Sequence, residues 1–391
     1  MKKILFLLTA CLSLPLAAQD NIGRILSSVE ENNTTLKALR ESTEAQKLEH
    51  KTGIFLENPE LSFNYLWGSP GRIGNRTDVS VSQKFDIPTL SGLKSKIADG
   101  QNNLAELQYL AGRMDILLEA KQSCFDLIYL NALKKEMEIR YGHARTIAHA
   151  FDEMLKQGDA NRLEYNKAQL NLSAVEGEMA RIAIERDALL SGLKRLNGGQ
   201  DIALDDARFD DIPFPLDFDE WYAQAEQRNP VLEYVRREVD VSKKRVSLSR
   251  AMNLPALSGG YMSEKVTGEH FQGVMLGVTI PLWDNRNRVR QAKAAVRAAE
   301  MRSEDAKQQL YGHLQSLYNR AAGLKLSAAK YRKSLTSLNN ADLLKTALDA
   351  GEISLLEYIV EMGLLYETVN KTLETERDFY KAYAELSAAM L

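Results

Sequence analysis

The side chains that most often catalyse reactions or bind metals are few in this chain and widely separated. The five histidines form no metal-ligand cluster with carboxylates or cysteines: His50, His143, His149, His270 and His313. No Ser/His/Asp pattern is recognisable. The pair Gly198-Gly199 lacks the following Lys and Ser or Thr of a phosphate-binding loop. The sequence therefore predicts that the protein is not an enzyme and uses no cofactor or metal.

Two segments with glycine and glutamate in matching positions are the most informative motif. The segment Gly158 to Tyr165 recurs as Gly351 to Tyr358, 193 positions later, and both copies read Gly-x-x-x-x-Leu-Glu-Tyr. Glycine supplies the left-handed conformation that ends helices, so each segment predicts a tight turn between two helices. Glu357 and Glu361 would then share one face of the second helix, because they are four residues apart.

The repeated turn is part of a larger tandem duplication. The same displacement carries Ile87-Pro88 onto Ile280-Pro281, and a displacement of 196 carries eight upstream residues onto identical types, from Asn33 onto Asn229 to Tyr65 onto Tyr261. A repeat this long predicts two half-molecules rather than a solenoid. We therefore divide the chain into a first copy (20–197), a linker rich in Gly, Pro and Asp (198–218) and a second copy (219–391).

The N-terminus has the features of an export signal. A basic Met1-Lys2-Lys3 precedes a short apolar run and a small-residue site ending at Ala18, which predicts a signal peptide over 1–18. An alternative is acylation of Cys11, which follows Leu8-Thr9-Ala10 as in a lipobox. Cleavage after Ala18 would leave Cys124 as the only cysteine, with no intramolecular disulfide, and its apolar neighbours predict a buried, inert thiol.

Most of each copy has the residue spacing of helices. The first copy predicts a helix from about Asp20 to Leu56, a very long one from about Thr89 to Lys156, and a third from Leu163 to about Leu196. The second copy predicts helices over Asp219–Asn253, interrupted at Asn229-Pro230, over Asn285–Ala350, and from there to Ala389. Helices of this length exceed what an ordinary globular core requires.

Between the first and the long helix of each copy, the apolar period changes from about 3.6 to 2. Leu61, Phe63, Tyr65 and Trp67 alternate with smaller or polar residues. The strands are predicted at about 59–68 and 78–88 in the first copy, and at about 255–263 and 272–282 in the second. Each copy thus predicts one β-hairpin, and the order helix, hairpin, long helix, helix is duplicated.

The hairpins have the length and pattern of strands that cross a bilayer. Aromatic residues near the predicted strand ends would lie at the membrane interfaces: Tyr65, Trp67, Tyr261 and Trp283. The alternative is a soluble four-stranded sheet packed on helices; the signal sequence and the long helices favour the membrane. A barrel in lipid has no open edge and four strands cannot close, so several copies of the chain must combine, with eight, twelve or sixteen strands in total.

Charge patterning excludes one class of partner. The net charge is −3, with acidic and basic residues interspersed, and no basic block suggests nucleic-acid binding. After the signal there is no run of about eighteen apolar residues, as a transmembrane helix would need.

Together these features resemble the TolC-type outer-membrane efflux channels, including the CusC-like outer-membrane factors of tripartite pumps. The likeness covers nearly the whole mature chain. It rests on the duplicated order, on the paired glycine turns, and on Val278-Thr279-Ile280-Pro281-Leu282-Trp283-Asp284 with its weaker partner Phe85-Asp86-Ile87-Pro88. The resemblance implies a mainly α protein with a β-barrel: a homotrimer whose twelve-stranded barrel in the outer membrane continues as an α-helical tunnel through the periplasm.

The resemblance also implies roles for the two turns. They would form the periplasmic tip, where the channel narrows and a periplasmic adaptor docks, and the tip residues are Gln157, Gly158, Asp159, Ala350, Gly351 and Glu352. An acidic residue after the second glycine lines the constriction in this family, which corresponds to Glu357, with Glu361 one turn further. Three copies of each would form acidic rings that favour cations.

The implied function is a passive exit duct, driven by an inner-membrane transporter of the resistance-nodulation-division type, for small molecules or ions that the partner pump selects. The alternative is a periplasmic adaptor or a structural coiled-coil protein of the envelope. An adaptor would have a single helical hairpin flanked by β-rich domains, whereas each copy here has one hairpin of strands with barrel-like alternation.

Overall fold

The computed structural model describes residues 21–85, 88–283, 285–338 and 340–390. The predicted signal peptide, including Cys11 and Ala18, lies outside the described residues. So do Asp86 and Ile87 of the second predicted strand and Asp284 of the resemblance motif.

Helices make up most of the described chain. They are α1 (Asn21–Asn32), α2 (Thr34–Glu49), α3 (Pro88–Gln157), α4 (Arg162–Leu196), α5 (Phe218–Arg228), α6 (Pro230–Ala251), α7 (Arg288–Ser337), α8 (Ala341–Asp349) and α9 (Leu355–Leu386). Within the described ranges, no helix is both long enough and apolar enough to cross a bilayer.

The predicted long helix of the first copy is confirmed, since α3 is continuous for 70 residues. The interruption at Asn229-Pro230 is also confirmed. There the Asn229 side chain accepts hydrogen bonds from the backbone N–H groups of Val231, at 2.9 Å, and Leu232, at 3.1 Å. Pro230 occupies the first helical position, where its missing N–H costs nothing. The local sequence thus ends α5 and starts α6.

Two helix predictions were wrong in their continuity. The predicted helix over 20–56 is divided at Asn33 and ends at Glu49. At the division, the buried Asn33 side chain donates a hydrogen bond to the carbonyl of Leu196, at 2.8 Å. The predicted helix over 285–350 is divided into α7 and α8, and Asn340 is the N-cap of α8. The sequence has two consecutive asparagines there, and asparagine is unfavourable in helix interiors; the Asn340 side chain itself makes no capping hydrogen bond.

The four strands form one antiparallel sheet in chain order: β1 (Glu60–Leu66), β2 (Arg76–Phe85), β3 (Ala256–Val266) and β4 (Glu269–Thr279). Both predicted hairpins are therefore present. They are joined through β2 and β3, where Val81 is opposite Tyr261. The strands are shifted by two to three residues from several predicted bounds, and Tyr261 lies inside β3 rather than near its end. Only Thr267 and Gly268 connect β3 to β4, with Gly268 at φ +85°.

The helices and the sheet fall into two compact units that do not coincide with the two copies. Unit 1 contains the described residues up to Thr34 with Leu117–Asp211 and Lys325–Lys381, and unit 2 contains Thr35–Ile116, Ile212–Leu324 and the residues from Ala382. Each unit thus takes segments from both copies.

Each unit has its own apolar core. In unit 1, Leu133, Met137 and Ile182 form one buried cluster, and Cys124 is buried, as predicted. In unit 2, Leu314 and Leu317 of α7 form a cluster with Tyr222 and Leu386. Phe214 of the linker packs against that cluster, so the linker is anchored by aromatic side chains.

Candidate functional site

The two glycine turns of unit 1 have the same backbone geometry. Gly158 and Gly351 have φ values of +86° and +72°. The N–H of the next residue bonds to a carbonyl five positions back in each case: Asp159 to Met154 at 2.8 Å, and Glu352 to Ala347 at 2.9 Å. Both turns are therefore Schellman motifs, in which glycine avoids the steric cost of a Cβ in the left-handed region.

A capping box starts the helix after each turn. Asn161 accepts hydrogen bonds from the N–H groups of Leu163 and Glu164, and its own N–H donates to the Glu164 carboxylate at 3.0 Å. The second copy matches it: the Ser354 N–H donates to Glu357 Oε2 at 2.7 Å, and Ser354 Oγ accepts from the Glu357 N–H at 3.2 Å. The glutamates of both motifs thus satisfy otherwise unpaired donors at the helix start.

This reciprocal pairing was missed by the sequence reasoning, although the signal was present. Ser354-x-x-Glu357 and Asn161-x-x-Glu164 are capping-box patterns that can be read directly from the sequence. The repeated glutamate therefore has a local structural role in both copies.

The six predicted tip residues are all exposed: Gln157, Gly158, Asp159, Ala350, Gly351 and Glu352. The helices beside the two turns share one core, because Phe151 near the end of α3 clusters with Ala168 of α4 and Leu355 of α9. The structure thus brings the two turns to the same end of unit 1, as a common tip requires.

The predicted constriction residues lie on the exposed side of α9. Glu357 and Glu361 are both exposed. The Ser354 backbone N–H, followed by the Ser354 hydroxyl, lowers the pKa of Glu357 from its ordinary value of 4.5. Glu361 lines a small groove with leucines of α7, α8 and α9. Its first-copy counterpart, Ala168, is buried, so only the second copy presents two acidic residues on one face.

A buried arginine links α3 to α9 within unit 1. Arg140 is 5% exposed, and its guanidinium lies 4.4 Å from the centre of the Tyr366 ring. It donates to the Tyr366 carbonyl at 3.2 Å and to Asn370 Oδ1 at 2.8 Å. Burial lowers the pKa of Arg140 and raises that of Tyr366 to about 12. The guanidinium on α3 thus contacts a ring, a carbonyl and a side-chain oxygen of α9.

The sheet of unit 2 has one mainly apolar face and one mixed face, on which small and polar residues alternate with a few large apolar ones. Leu61, Val81, Tyr261 and Val274 are opposite one another in a single row across the four strands. The exposed apolar side chains of this face are Leu61, Phe63, Tyr65, Val79, Val81, Phe85, Leu257, Tyr261, Val274, Leu276 and Val278. On the other face, Ser62, Ser80, Met262 and Gly273 form the neighbouring row. These side chains are between 38% and 87% exposed, and an exposed apolar patch of this extent marks an interaction surface.

Two tyrosines of the apolar face, Tyr65 near the end of β1 and Tyr261 inside β3, have hydrogen-bonded hydroxyl groups. Tyr65 accepts from Asn75 Nδ2 at 2.6 Å, and Tyr261 donates to Gln272 Oε1 at 2.8 Å. Trp67 and Trp283, beyond the strand ends, are about four-fifths exposed. Rings with an apolar body and a polar tip are typical of membrane interfaces.

Within the parts of the chain that the structure describes, no group of three or more His, Cys, Asp or Glu residues could hold a metal ion. The exposed features are thus the two turns, the acidic side of α9 and the apolar face of the sheet.

Comparison with known proteins identifies the same architecture. Residues 221–390 match the outer membrane efflux protein family. The chain is 22% identical to the alkaline protease secretion protein AprF of Pseudomonas aeruginosa, over 91% of this chain and 81% of AprF.

Solved structures share the fold at low sequence identity. The CmeC outer membrane channel of Campylobacter jejuni is 16% identical, with a TM-score of 0.77 over 95% of this chain and 85% of CmeC. CusC is 14% identical, with a TM-score of 0.78 over 95% of this chain and 92% of CusC. These matches show that the chain shares the fold of the outer membrane channels, and that most of its second copy matches the outer membrane efflux protein family.

Proposed function

We propose that three copies of the chain form a passive exit duct in the outer membrane. The four strands of each copy would combine into a twelve-stranded barrel, and the helices would form a tunnel reaching through the periplasm. One observation carries the proposal: the sheet has an exposed apolar face and ends in two edge strands, β1 and β4.

The edge strands make closure between copies necessary in lipid. Unpaired backbone N–H and C=O groups cost several kcal/mol each in hydrocarbon. If β1 of one copy pairs with β4 of the next, both edges are satisfied and the apolar face becomes the outer surface of a barrel. The opposite face, with Ser62, Ser80 and Gly273, would then line the lumen.

Exposed apolar residues on α4 support association along the helices as well. Leu163, Leu170 and Ile184 are each about 70% exposed. They follow a seven-residue spacing in which Gly177 fills the intermediate position, and this repeat is typical of helices that pack against a partner helix. In a barrel built from several copies, this partner helix would belong to a neighbouring copy.

The tip would receive a periplasmic adaptor, which connects the duct to an inner-membrane transporter of the resistance-nodulation-division type. The exposure of both glycine turns at one end of unit 1 supports this role. Glu357 and Glu361, on the exposed side of α9, would form acidic rings at the constriction and favour cations.

We propose that the duct conducts small molecules or ions. A second candidate is a polypeptide, favoured by the match to AprF, which is named for the secretion of a protease and matches most of this chain. To distinguish them, the chain would be expressed with either a drug pump and its adaptor or a protease secretion system in cells lacking their own channel. The first cargo class is supported if only drug resistance is restored, and the second if only protease release is restored.

Assembly is tested by a photo-crosslinking amino acid on the edge of the sheet. Benzoylphenylalanine in place of Phe63 in β1 should link copies in outer membranes into dimers and trimers on denaturing gels. The same group in place of Val81, on the same face of the inner strand β2, is the matched control and should give few such products. A chain that stays monomeric in membranes would contradict the proposal.

A further inference from the structure

A cavity in unit 1 lies behind the turn that contains Gly351. Its volume is about 460 Å³, within the range of roughly 300–1,000 Å³ typical of small-molecule sites. Ile147 and Phe151 of α3 line one side, Leu348 of α8 the other, and Tyr358 of α9 contributes to the wall. The walls are therefore largely apolar and come from three helices.

The helix on one side of the cavity is incompletely packed. None of the nine residues of α8 is buried. The corresponding stretch of the first copy belongs to the continuous helix α3, where Ala148 and Phe151 are buried. The second copy thus has no buried side chain in the stretch where the first copy has two.

Polar groups are present at two places around this space. His143 lines the cavity, and its Nδ1 lies 3.3 Å from the Tyr366 hydroxyl. Lys345 and Asp349 also line it and pair with each other at 3.0 Å. Because these two charges compensate one another, the cavity offers hydrogen-bonding groups without an unpaired charge for a ligand ion.

We infer that this cavity binds a small, uncharged amphipathic molecule with an aromatic or branched apolar body and one hydroxyl or carbonyl group. The body would contact Phe151 and Leu348, and the polar group would reach the imidazole of His143 or the hydroxyl of Thr146, which also lines the cavity. A charged ligand is disfavoured because the apolar walls would remove its hydration without supplying a partner. Since the walls belong to α3 and α8, the bound molecule would hold the Gly351 turn against α3.

Binding can be tested on the full chain in lipid nanodiscs without any adaptor, so the outcome is independent of the proposed trimer's transport role. The probe is 2-naphthol, observed by ligand NMR, and we expect saturable binding with a Kd on the order of 0.1–1 mM for a ligand of this size. Ala150→Trp should fill the space, because Ala150 lines the cavity and is exposed, and should weaken binding by about tenfold or more.

The matched control is His149→Trp, an exposed neighbour that does not line the cavity; it should bind like the parent. Partition of the probe into lipid is common to all samples and does not saturate. If Ala150→Trp fails to fold, Met154→Trp, from another part of the lining, replaces it. Absence of a saturable component in the parent, or equal affinity in the parent and the filled variant, would overturn the inference.

Discussion

The Ser354 N–H donates a hydrogen bond to the Glu357 carboxylate at 2.7 Å, while the Ser354 hydroxyl accepts one from the Glu357 N–H at 3.2 Å. The residue proposed for the constriction therefore also starts the helix that holds it. This double role matters for mutagenesis, because Glu357→Ala would remove a charge and a helix cap together. Glutamine can fill the same place in a capping box, so it separates the two effects.

We predict that Glu357→Gln lowers the preference for cations in planar bilayers and changes thermal stability little. The charge is lost, but the amide oxygen can still accept from Ser354. Glu357→Ala should change selectivity similarly and also lower the thermal stability, because the Ser354 N–H loses its acceptor in the capping box. Reversal potentials in a salt gradient and unfolding midpoints measure the two effects.

Glu164→Gln is the control for that prediction, because Glu164 occupies the same place in the first-copy capping box. It should leave the reversal potential near the parental value. Equal shifts for the two glutamine variants would show that Glu357 has no special position in the pore.

The same hydrogen bonds predict the pH dependence of selectivity. Because the pKa of Glu357 lies below 4.5 in the folded chain, the carboxylate stays charged at pH values where a free one is half protonated. Its capping contribution is present above pH 4.5 and is lost as the pH falls through the lowered pKa. In a Glu361→Gln background, the midpoint of the reversal potential should therefore lie below pH 4.5.

Ser354→Ala sharpens that test. It removes the hydroxyl but keeps the backbone donor, which is the larger cause of the shift. The midpoint should rise toward 4.5 without reaching it. A parental midpoint at or above 4.5 would contradict the assignment of this titration to the capped carboxylate.

Much of the fold could be predicted because it is encoded locally. The break between α5 and α6 is set by Pro230, and the hairpins are set by the alternation of apolar residues such as Leu61 to Tyr65. Both signals involve only residues adjacent in the sequence, so both features could be predicted. The break at Asn33 could not be predicted this way, because the hydrogen bond at that position joins Asn33 to Leu196, far away in the chain.

The same contrast between local and distant causes applies to the candidate site. The glycine turns were predicted because left-handed backbone at Gly158 and Gly351 needs glycine. The buried contact of Arg140 with Tyr366 was not, because it joins residues of different copies and leaves no local pattern. Roles at the tip depend on neighbouring copies and on partners, and no local signal in one chain specifies them.

Lipid exposure of the sheet can be tested with two adjacent residues of β4. Leu276 is 87% exposed on the apolar face, and Met275 is on the opposite face. We predict that Leu276→Arg destabilises the assembled protein by about 2–4 kcal/mol, as arginine does on the lipid face of a barrel. Met275→Arg should be much milder. The amount of heat-resistant trimer in outer membranes measures both, and equal losses would contradict the assigned faces.

The contact of Arg140 with α9 predicts a stability effect that depends on one acceptor. Asn370→Ala removes the side-chain oxygen that receives a hydrogen bond from the buried guanidinium at 2.8 Å. Hydrogen bonds to charged groups contribute about 1.5–3 kcal/mol to stability, so the unfolding midpoint should fall by the corresponding amount. All variants should be heated at one scan rate, because large proteins often unfold irreversibly. Asn370→Asp is the matched variant: it keeps an acceptor in place and adds an opposite charge, so it should retain most of the parental stability. If alanine and aspartate are equally destabilising, the loss comes from packing at that position, and the guanidinium does not depend on Asn370.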